Sequence, residues 1–450
     1  MNKVYFDTLG CFKNIEDSER AAGILKACGY SIIDDVNEAD IIIVNTCGFI
    51  EDAKRESIDH ILENAIYHDL GKIIIVTGCL TQRYPEELFN DFHEVDAILG
   101  VNDYENLPDI IERISSHSHE ETSVSNNSAK PRVMAVSNNN GILTGPREAF
   151  SSRASAFLKI SEGCSNRCTY CAIPSIRGPF RSIPKDLVLE DANTLATEGT
   201  KELVLIAQDV SAYGMDFDNE PNLTSLLTDL SLIDSIEWLR LMYCYEERIT
   251  EELVDLIASN PKICRYIDIP LQHVSDPILI RMNRHSTNER IRRTISNLRD
   301  KIPEIAIRTT LMTGFPGETD EDFEELYNFV EDHKFERLGV FAFSPEEGTP
   351  AFNMPDQVPK EIAEQRRDAI MQLQVDISLA NNQKLVGKKL KVLVEEKEDD
   401  GTTYVGRSEF DAPEIDNSVI IGADKELKIG DFVDVIITDA MDYDIIGEVI

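Results

Sequence analysis

The sequence predicts an α/β protein in three parts: a small parallel α/β domain, a partial (β/α)6 barrel, and an all-β barrel at the C-terminal end. Three observations carry that reading. Apolar runs of strand length alternate with helical stretches over residues 1–112, and the alternation resumes at greater length over 156–333 and runs on into one more strand. From 384 onward the pattern changes to short alternating runs separated by Gly and Asp turns.

In the first part, strands at 4–8, 41–44 and 73–76 alternate with helices at 16–28, 53–65 and 85–89. This order predicts a doubly wound parallel sheet, because each helix carries the chain back to the edge where the next strand starts. Gly29 supplies a C-cap to the first helix. Residues 115–152 are rich in Ser and Asn, as in Ser115-Ser116-His117-Ser118-His119 and Ser137-Asn138-Asn139-Asn140-Gly141, and predict a linker. Strands of the second part lie near 157–161, 203–207, 238–242, 266–270, 305–311 and 338–343. Thr319, answered three residues on by Asp322, caps the helix that follows the fifth of them. Ligands of such an array gather at the C-terminal ends of its strands. A helix at 360–380, with Ile362, Ala363, Ile370, Leu373 and Ile377 at helical spacing, leads to short strands at 390–394, 403–405, 418–421 and 432–438. The resulting domains are 1–114, a linker at 115–152, 153–380, and 384–450.

The chain carries 44 Lys and Arg against 82 Asp and Glu, a formal charge of -38, with a pI near 4.5. Nucleic-acid binding needs cations that displace phosphate counterions, so this balance disfavours a nucleic acid except at a local basic patch. It attracts a basic protein, or serves solubility alone. Residues 384–450 share the sign, with 8 Lys and Arg against 17 Asp and Glu, net -9. Met1-Asn2-Lys3 runs straight into a strand-like Val4-Tyr5-Phe6 without a secretory pattern, and no apolar run has the length of a membrane span; both predict a cytoplasmic protein without a membrane partner. In that setting nine cysteines read as metal ligands and free thiols, not as a disulfide framework.

Six of the cysteines form two patterns. In Gly163-Cys164-Ser165-Asn166-Arg167-Cys168-Thr169-Tyr170-Cys171, three thiols lie on one short loop at the end of an apolar stretch. Structural zinc sites close with four ligands, whereas an iron-sulfur cluster takes cysteine thiolates and can leave one iron unclaimed by protein. The other pattern is dispersed: Thr8-Leu9-Gly10-Cys11, Val44-Asn45-Thr46-Cys47 and Val76-Thr77-Gly78-Cys79. Each thiol follows an apolar run, so a parallel sheet brings all three to its carboxyl edge, where open α/β folds bind ligands. Small neighbours leave room for a bulky cluster, although buried cysteines beside strands are also common packing residues. Cys28, Cys244 and Cys264 lack such company and read as core thiols.

The compact motif, followed by Ala172-Ile173-Pro174, resembles that of the radical S-adenosylmethionine (SAM) superfamily, in which the unclaimed iron of a 4Fe-4S cluster chelates SAM. The segment Leu9-Gly10-Cys11-Phe12-Lys13-Asn14-Ile15-Glu16-Asp17-Ser18-Glu19 looks like the opening signature of the methylthiotransferases. The order of three dispersed cysteines, CxxxCxxC and a small TRAM-type β-barrel matches that family along nearly the whole chain. The resemblance implies two 4Fe-4S clusters, one on Cys164, Cys168 and Cys171 and one on Cys11, Cys47 and Cys79, with SAM serving as methyl donor and as radical source. Lys159-Ile160-Ser161-Glu162-Gly163-Cys164, Ser344-Pro345-Glu346-Glu347-Gly348-Thr349-Pro350, Gly406-Arg407-Ser408 and Asp411-Ala412-Pro413-Glu414-Ile415-Asp416 look like the RimO-like branch. That branch modifies an aspartate of the small-subunit ribosomal protein S-twelve. An acidic terminal barrel suits so basic a substrate, whereas a tRNA-binding version should be basic.

The implied reaction is methylthiolation at the aspartate β-carbon. A deoxyadenosyl radical takes hydrogen from a C-H bond too weakly acidic for side-chain bases, and sulfur held on the second cluster joins the carbon. An electron donor and a sulfur source are implied partners. Tyr170 occupies the aromatic position that in the superfamily lies near the adenine, and Gly314-Phe315-Pro316-Gly317-Glu318 resembles its SAM-contacting turn. Gln208, Gln272 and Arg308 are polar side chains able to hydrogen-bond the ribose or carboxylate of SAM. Packing, tight-loop chemistry and ordinary barrel-mouth polarity compete with these assignments. No side chain is assigned as catalytic. Two other readings stay open at this point: a MiaB-like tRNA adenosine methylthiotransferase, and an iron-sulfur electron carrier or scaffold.

Overall fold

The computed structural model describes residues 2–117, 132–138, 140–150, 154–218 and 222–450. They divide into two compact units: Met1–Phe150 with Glu162–Arg167 and Cys171–Arg181, and Ser151–Ser161 with Cys168–Tyr170 and Ser182–Ile450.

The first unit is built on a six-stranded parallel sheet. Its strands are β1 (Lys3–Thr8), β2 (Ser31–Ile32), β3 (Ile41–Thr46), β4 (Ile73–Gly78), β5 (Ala97–Leu99) and β6 (Val133–Ala135), in the order 2-1-3-4-5-6. Ile41, Ile43, Ile73 and Ile75 pack with Ala21 and Leu25 of α1 (Phe12–Ala27) on one face. Ile42, Val44, Ile74 and Val76 pack with Ile61 and Leu80 on the other. Burial on both faces explains why β3 and β4 read as unbroken apolar runs.

Part of the segment read as a linker is sheet. Val133–Ala135 pairs in parallel with Ala97–Leu99, and Glu148 and Arg147 then bond to Lys26 and Glu19 of α1. An edge strand of three residues needs little apolar character: Val133 is buried while Met134 is exposed. Ser115 and Ser116 belong to the helix Leu107–His117. Residues 118–131, 139, 151 and 152 of that stretch lie outside the described residues.

In the second unit β7 (Ser155–Lys159), β8 (Glu202–Ile206), β9 (Trp238–Leu241), β10 (Ile263–Gln272), β11 (Ala306–Thr313) and β12 (Arg337–Ala342) are all parallel. Each pairs with its neighbours in sequence. This is the expected open (β/α)6 array. Five further strands, β13 (Lys389–Lys397), β14 (Thr403–Ser408), β15 (Val419–Gly422), β16 (Phe432–Ala440) and β17 (Ile445–Val449), form a closed barrel around Val392, Tyr404, Ile421 and Val435. The sequence reading did not include β17. It pairs with β15 and β16 and so removes the free edge that four strands would leave.

The barrel is keyed to the starts of the parallel strands by buried ion pairs. Glu202, the first residue of β8, accepts from Arg240 of β9 at 2.7 Å and from Arg407 of β14 at 2.6 Å. Arg337 donates to Asp411 at 2.8 Å, and the Tyr266 hydroxyl to Asp416 at 2.7 Å. Among the described residues, no helix is long and apolar enough to cross a membrane.

Candidate iron-sulfur and SAM site

Register places the first cysteine trio. Thr8 of β1 stands opposite Asn45 of β3, and Thr46 of β3 opposite Gly78 of β4. Cys11, Cys47 and Cys79 therefore leave the same carboxyl edge of three adjacent strands. Cys11 is the N-cap of α1, and Cys79 opens the short helix Cys79–Arg83. The backbone of Cys47 is clamped by Ser57, whose hydroxyl accepts from its N-H at 2.9 Å and donates to its C=O at 3.0 Å. Gly10 adopts φ +92, and a Cβ there would stand 2.7 Å from the Cβ and 3.1 Å from the Sγ of Cys47. Only glycine permits both the conformation and the approach.

Burial and neighbouring thiols act together on Cys47 and Cys79. Burial pushes Cys47 up to about 12, with Cys79 and Cys11 adding to the rise. Burial likewise raises Cys79, while Arg177 opposes the rise. Such thiols stay protonated until a metal's charge displaces the proton. Among the described residues, no three His, Cys, Asp or Glu side chains gather closely enough for a single ion. Thiolates of a cubane bind separate irons at separate corners, so this all-thiol donor set fits a cluster.

Arg177 ends α2 (Ile173–Arg177) and is buried. Its Nη2 donates to Cys79 Sγ at 3.4 Å and to Asn14 Oδ1 at 2.8 Å, and its Nη1 to Asp17 at 2.6 Å and Glu162 at 3.4 Å. Asn14 in turn donates to the carbonyls of Leu9 and Thr46, at 2.7 and 3.1 Å, which ties α1 to two of the strand ends.

The compact trio is held residue by residue. In the first unit, the Cys164 N-H donates to the Gly178 carbonyl at 3.1 Å, and the Gly163 N-H to Glu162 at 3.0 Å. Cys171, partly buried, lies just before α2. In the second unit, Cys168 Sγ is 3.8 Å from the Tyr245 hydroxyl. The next residue, Thr169, is fixed by its N-H on the Met282 carbonyl at 3.0 Å and its hydroxyl on the Arg281 carbonyl at 2.9 Å.

The other expected site residues separate into two groups. Tyr170 and the Gly314 turn come together, with the Tyr170 ring edge-on to Phe315 at 6.5 Å. Glu318 shapes that turn by accepting from the Gly314 N-H at 2.8 Å while Arg366 donates to its other oxygen at 2.7 Å. Gln208 follows the end of β8, and Gln272 ends β10 in the left-handed region at φ 70. Tyr243, just past β9, is left-handed too at φ 54, a strain of about 1–3 kcal/mol of the kind found at functional sites. Arg308 forms the second group. It is the third residue of β11, and its guanidinium is committed to Asp268 at 3.0 Å and Asp416 at 3.3 Å, among the ion pairs at the strand starts. Cys28, expected in the core, is exposed at the C-cap of α1, whereas Cys244 and Cys264 are buried as expected.

Sequence reasoning missed Arg177 and Arg284. Arg284 is buried over the Tyr245 ring at 4.3 Å, with Nη2 on the Pro270 carbonyl at 3.1 Å. A single arginine has no spacing signature; the available signal was its nearness in sequence to a cysteine run, which Arg177 has and Arg284 lacks.

Relatives decide the family. Proteins of Acetivibrio thermocellus and Clostridioides difficile named ribosomal protein uS12 methylthiotransferase RimO are each 46% identical to this chain over all of its length, covering 98% and 99% of their own. The chain belongs to the RimO family of methylthiotransferases. Its segments also match the profiles described as uncharacterized protein family UPF0004 over residues 3–100, radical SAM superfamily over 158–330 and TRAM domain over 386–450. Membership of the radical SAM superfamily brings SAM and a 4Fe-4S cluster. Among solved structures, the radical SAM methyltransferase TsrM from Kitasatospora setae, with cobalamin and a 4Fe-4S cluster bound, superposes with a TM-score of 0.54. It does so at 15% identity over 78% of this chain and 74% of that one. The cobalamin-dependent SAM radical enzyme OxsB gives 0.51 at 14% identity over 83% and 56%. At such identities the likeness concerns the fold alone.

Proposed function

We propose that this chain methylthiolates the β-carbon of an aspartate in ribosomal protein uS12, in the cytoplasm, with one 4Fe-4S cluster on Cys164, Cys168 and Cys171 and another on Cys11, Cys47 and Cys79. The observation that carries the reading is the identity of 46% along the whole chain to proteins named for that reaction. The emergence of three buried or half-buried thiols from adjacent strand ends supports the second cluster. When bound, the clusters and SAM supply one-electron chemistry and sulfur for a C-H bond that no side-chain base ionises near neutral pH.

The chain's own residues bind and orient. Thr169 and its backbone partners fix Cys168, Glu318 holds the turn at Gly314 against which Tyr170 packs, and Gln208 stands at a strand end where a ribose can be met. Arg308, paired with Asp268 and Asp416, is the one member of the expected SAM-contacting set whose guanidinium is also engaged by carboxylates. The net charge of -9 on residues 384–450 matches a basic ribosomal protein and opposes tRNA. An electron donor and a sulfur source complete the system. Anaerobically reconstituted protein supplied with SAM, reductant and sulfide should add a methylthio group to uS12 in ribosomal subunits and leave unmodified tRNA unchanged, as read by mass spectrometry. Thiomethylated tRNA beside unmodified uS12 would overturn the assignment.

A further inference from the structure

We propose that Arg177 is a positioning residue that holds the thiolate of Cys79 and raises the reduction potential of the cluster on Cys11, Cys47 and Cys79. This rests on the two-cluster reading above and adds a residue outside both cysteine trios.

The two edges of the guanidinium do different things. Nη1 serves the carboxylates, Asp17 at 2.6 Å and Glu162 at 3.4 Å. Those pairs alone would compensate a buried cation. Nη2 is turned away from them, onto Cys79 Sγ at 3.4 Å and the Asn14 side-chain oxygen Oδ1 at 2.8 Å. A planar fork allows this double engagement, and an ammonium does not. Asn14 is itself anchored to the carbonyls of Leu9 and Thr46, which lead into Cys11 and Cys47. The arginine therefore meets one thiol directly and the chain entering the other two through a single amide.

A hydrogen bond and a positive charge at a ligand sulfur stabilise the more negative, reduced form of a cluster, and burial strengthens the effect. Removing Arg177 also leaves Asp17 and Glu162 facing the site without their cation, which shifts the potential the same way. Sequence position adds a connection. Arg177 lies six residues after Cys171, and Glu162 two before Cys164. One side chain thus joins Cys79 to the segments that flank the compact thiol loop.

The test uses the full chain with Cys164, Cys168 and Cys171 changed to Ala, so that iron reports on the first trio. Redox titration followed by EPR gives its midpoint potential. In that background Arg177→Met with Asp17→Asn, a neutral replacement of the pair, should shift the potential to more negative values. Arg177→Lys, which keeps charge without the fork, should give a smaller shift in the same direction. Loss of iron from both variants in folded protein also supports the positioning role. Parental potentials in both variants, with iron retained, overturn the proposal and leave the two-cluster reading intact, and failure of both to fold assigns Arg177 to the core and overturns it too. Absence of iron from the parental triple variant removes the two-cluster reading and this inference with it.

Discussion

A thiol is a poor ligand until it loses its proton, and the fold makes that loss harder for Cys47. Burial, with Cys79 and Cys11 nearby, raises it from 9.0 to about 12. Because the folded value lies above the unfolded one, the neutral thiol's contribution to stability is complete below about pH 8.5 and is lost as pH rises through the folded value. Urea midpoints of metal-free protein should therefore fall more steeply between about pH 8 and 11 than those of Cys47→Ala. Equal slopes would show that Cys47 is not buried beside other thiols. At this scale the positions of the two cysteine trios were legible because spacing and a preceding strand gave each thiol a place in the fold. Arg177 and Arg284 were not, since contact among distant segments defines them. The partners of Arg308 were not legible either, because a polar residue within a strand pattern does not reveal the carboxylates of Asp268 and Asp416 that meet it.

Helix α1 shows why elements can mislead. Asn14, Glu16, Asp17, Ser18, Glu19 and Arg20 are all buried, although their polarity alone describes a solvated face. Segments distant in sequence cover them: Arg147 reaches Glu19 and Arg177 reaches Asp17. The longer strands of the two parallel sheets and the capping box at Thr319 and Asp322 followed from local pattern and formed as expected, whereas the short strands β2 and β5 and the last barrel strand β17 were not legible. Nor was the edge strand Val133–Ala135, because only one of its side chains is buried and the pattern is too short to register. The ion pairs that dock the terminal barrel are likewise nonlocal. Glu202 is fully buried between Arg240 and Arg407, which hold its carboxyl down at about 2 against burial. Glu202→Ala leaves the buried Arg240 without its carboxylate, while Arg407 keeps Glu395 at 2.8 Å, and should cost about 3–5 kcal/mol in urea denaturation. A loss below about 1 kcal/mol would mean that the pairs are solvated and do not key the barrel to the strand starts.

Across the whole molecule, the order of parts was readable because each carries its own periodicity, and the family likeness runs the full length of the chain. The division of labour between the trios gives two separable outcomes. In single-turnover assays Cys171→Ala should abolish release of deoxyadenosine. Cys79→Ala should retain SAM cleavage and lose methylthiolation of uS12, and identical behaviour of the two would join the trios in one function. The central claim is that each chain binds two clusters on separate cysteine trios, and iron and sulfide quantitation on anaerobically reconstituted protein tests it most directly. The expected result is about eight irons per chain, falling to about four when Cys11, Cys47 and Cys79 are changed to Ala. About four irons in the unaltered chain, unchanged by those substitutions, would contradict it.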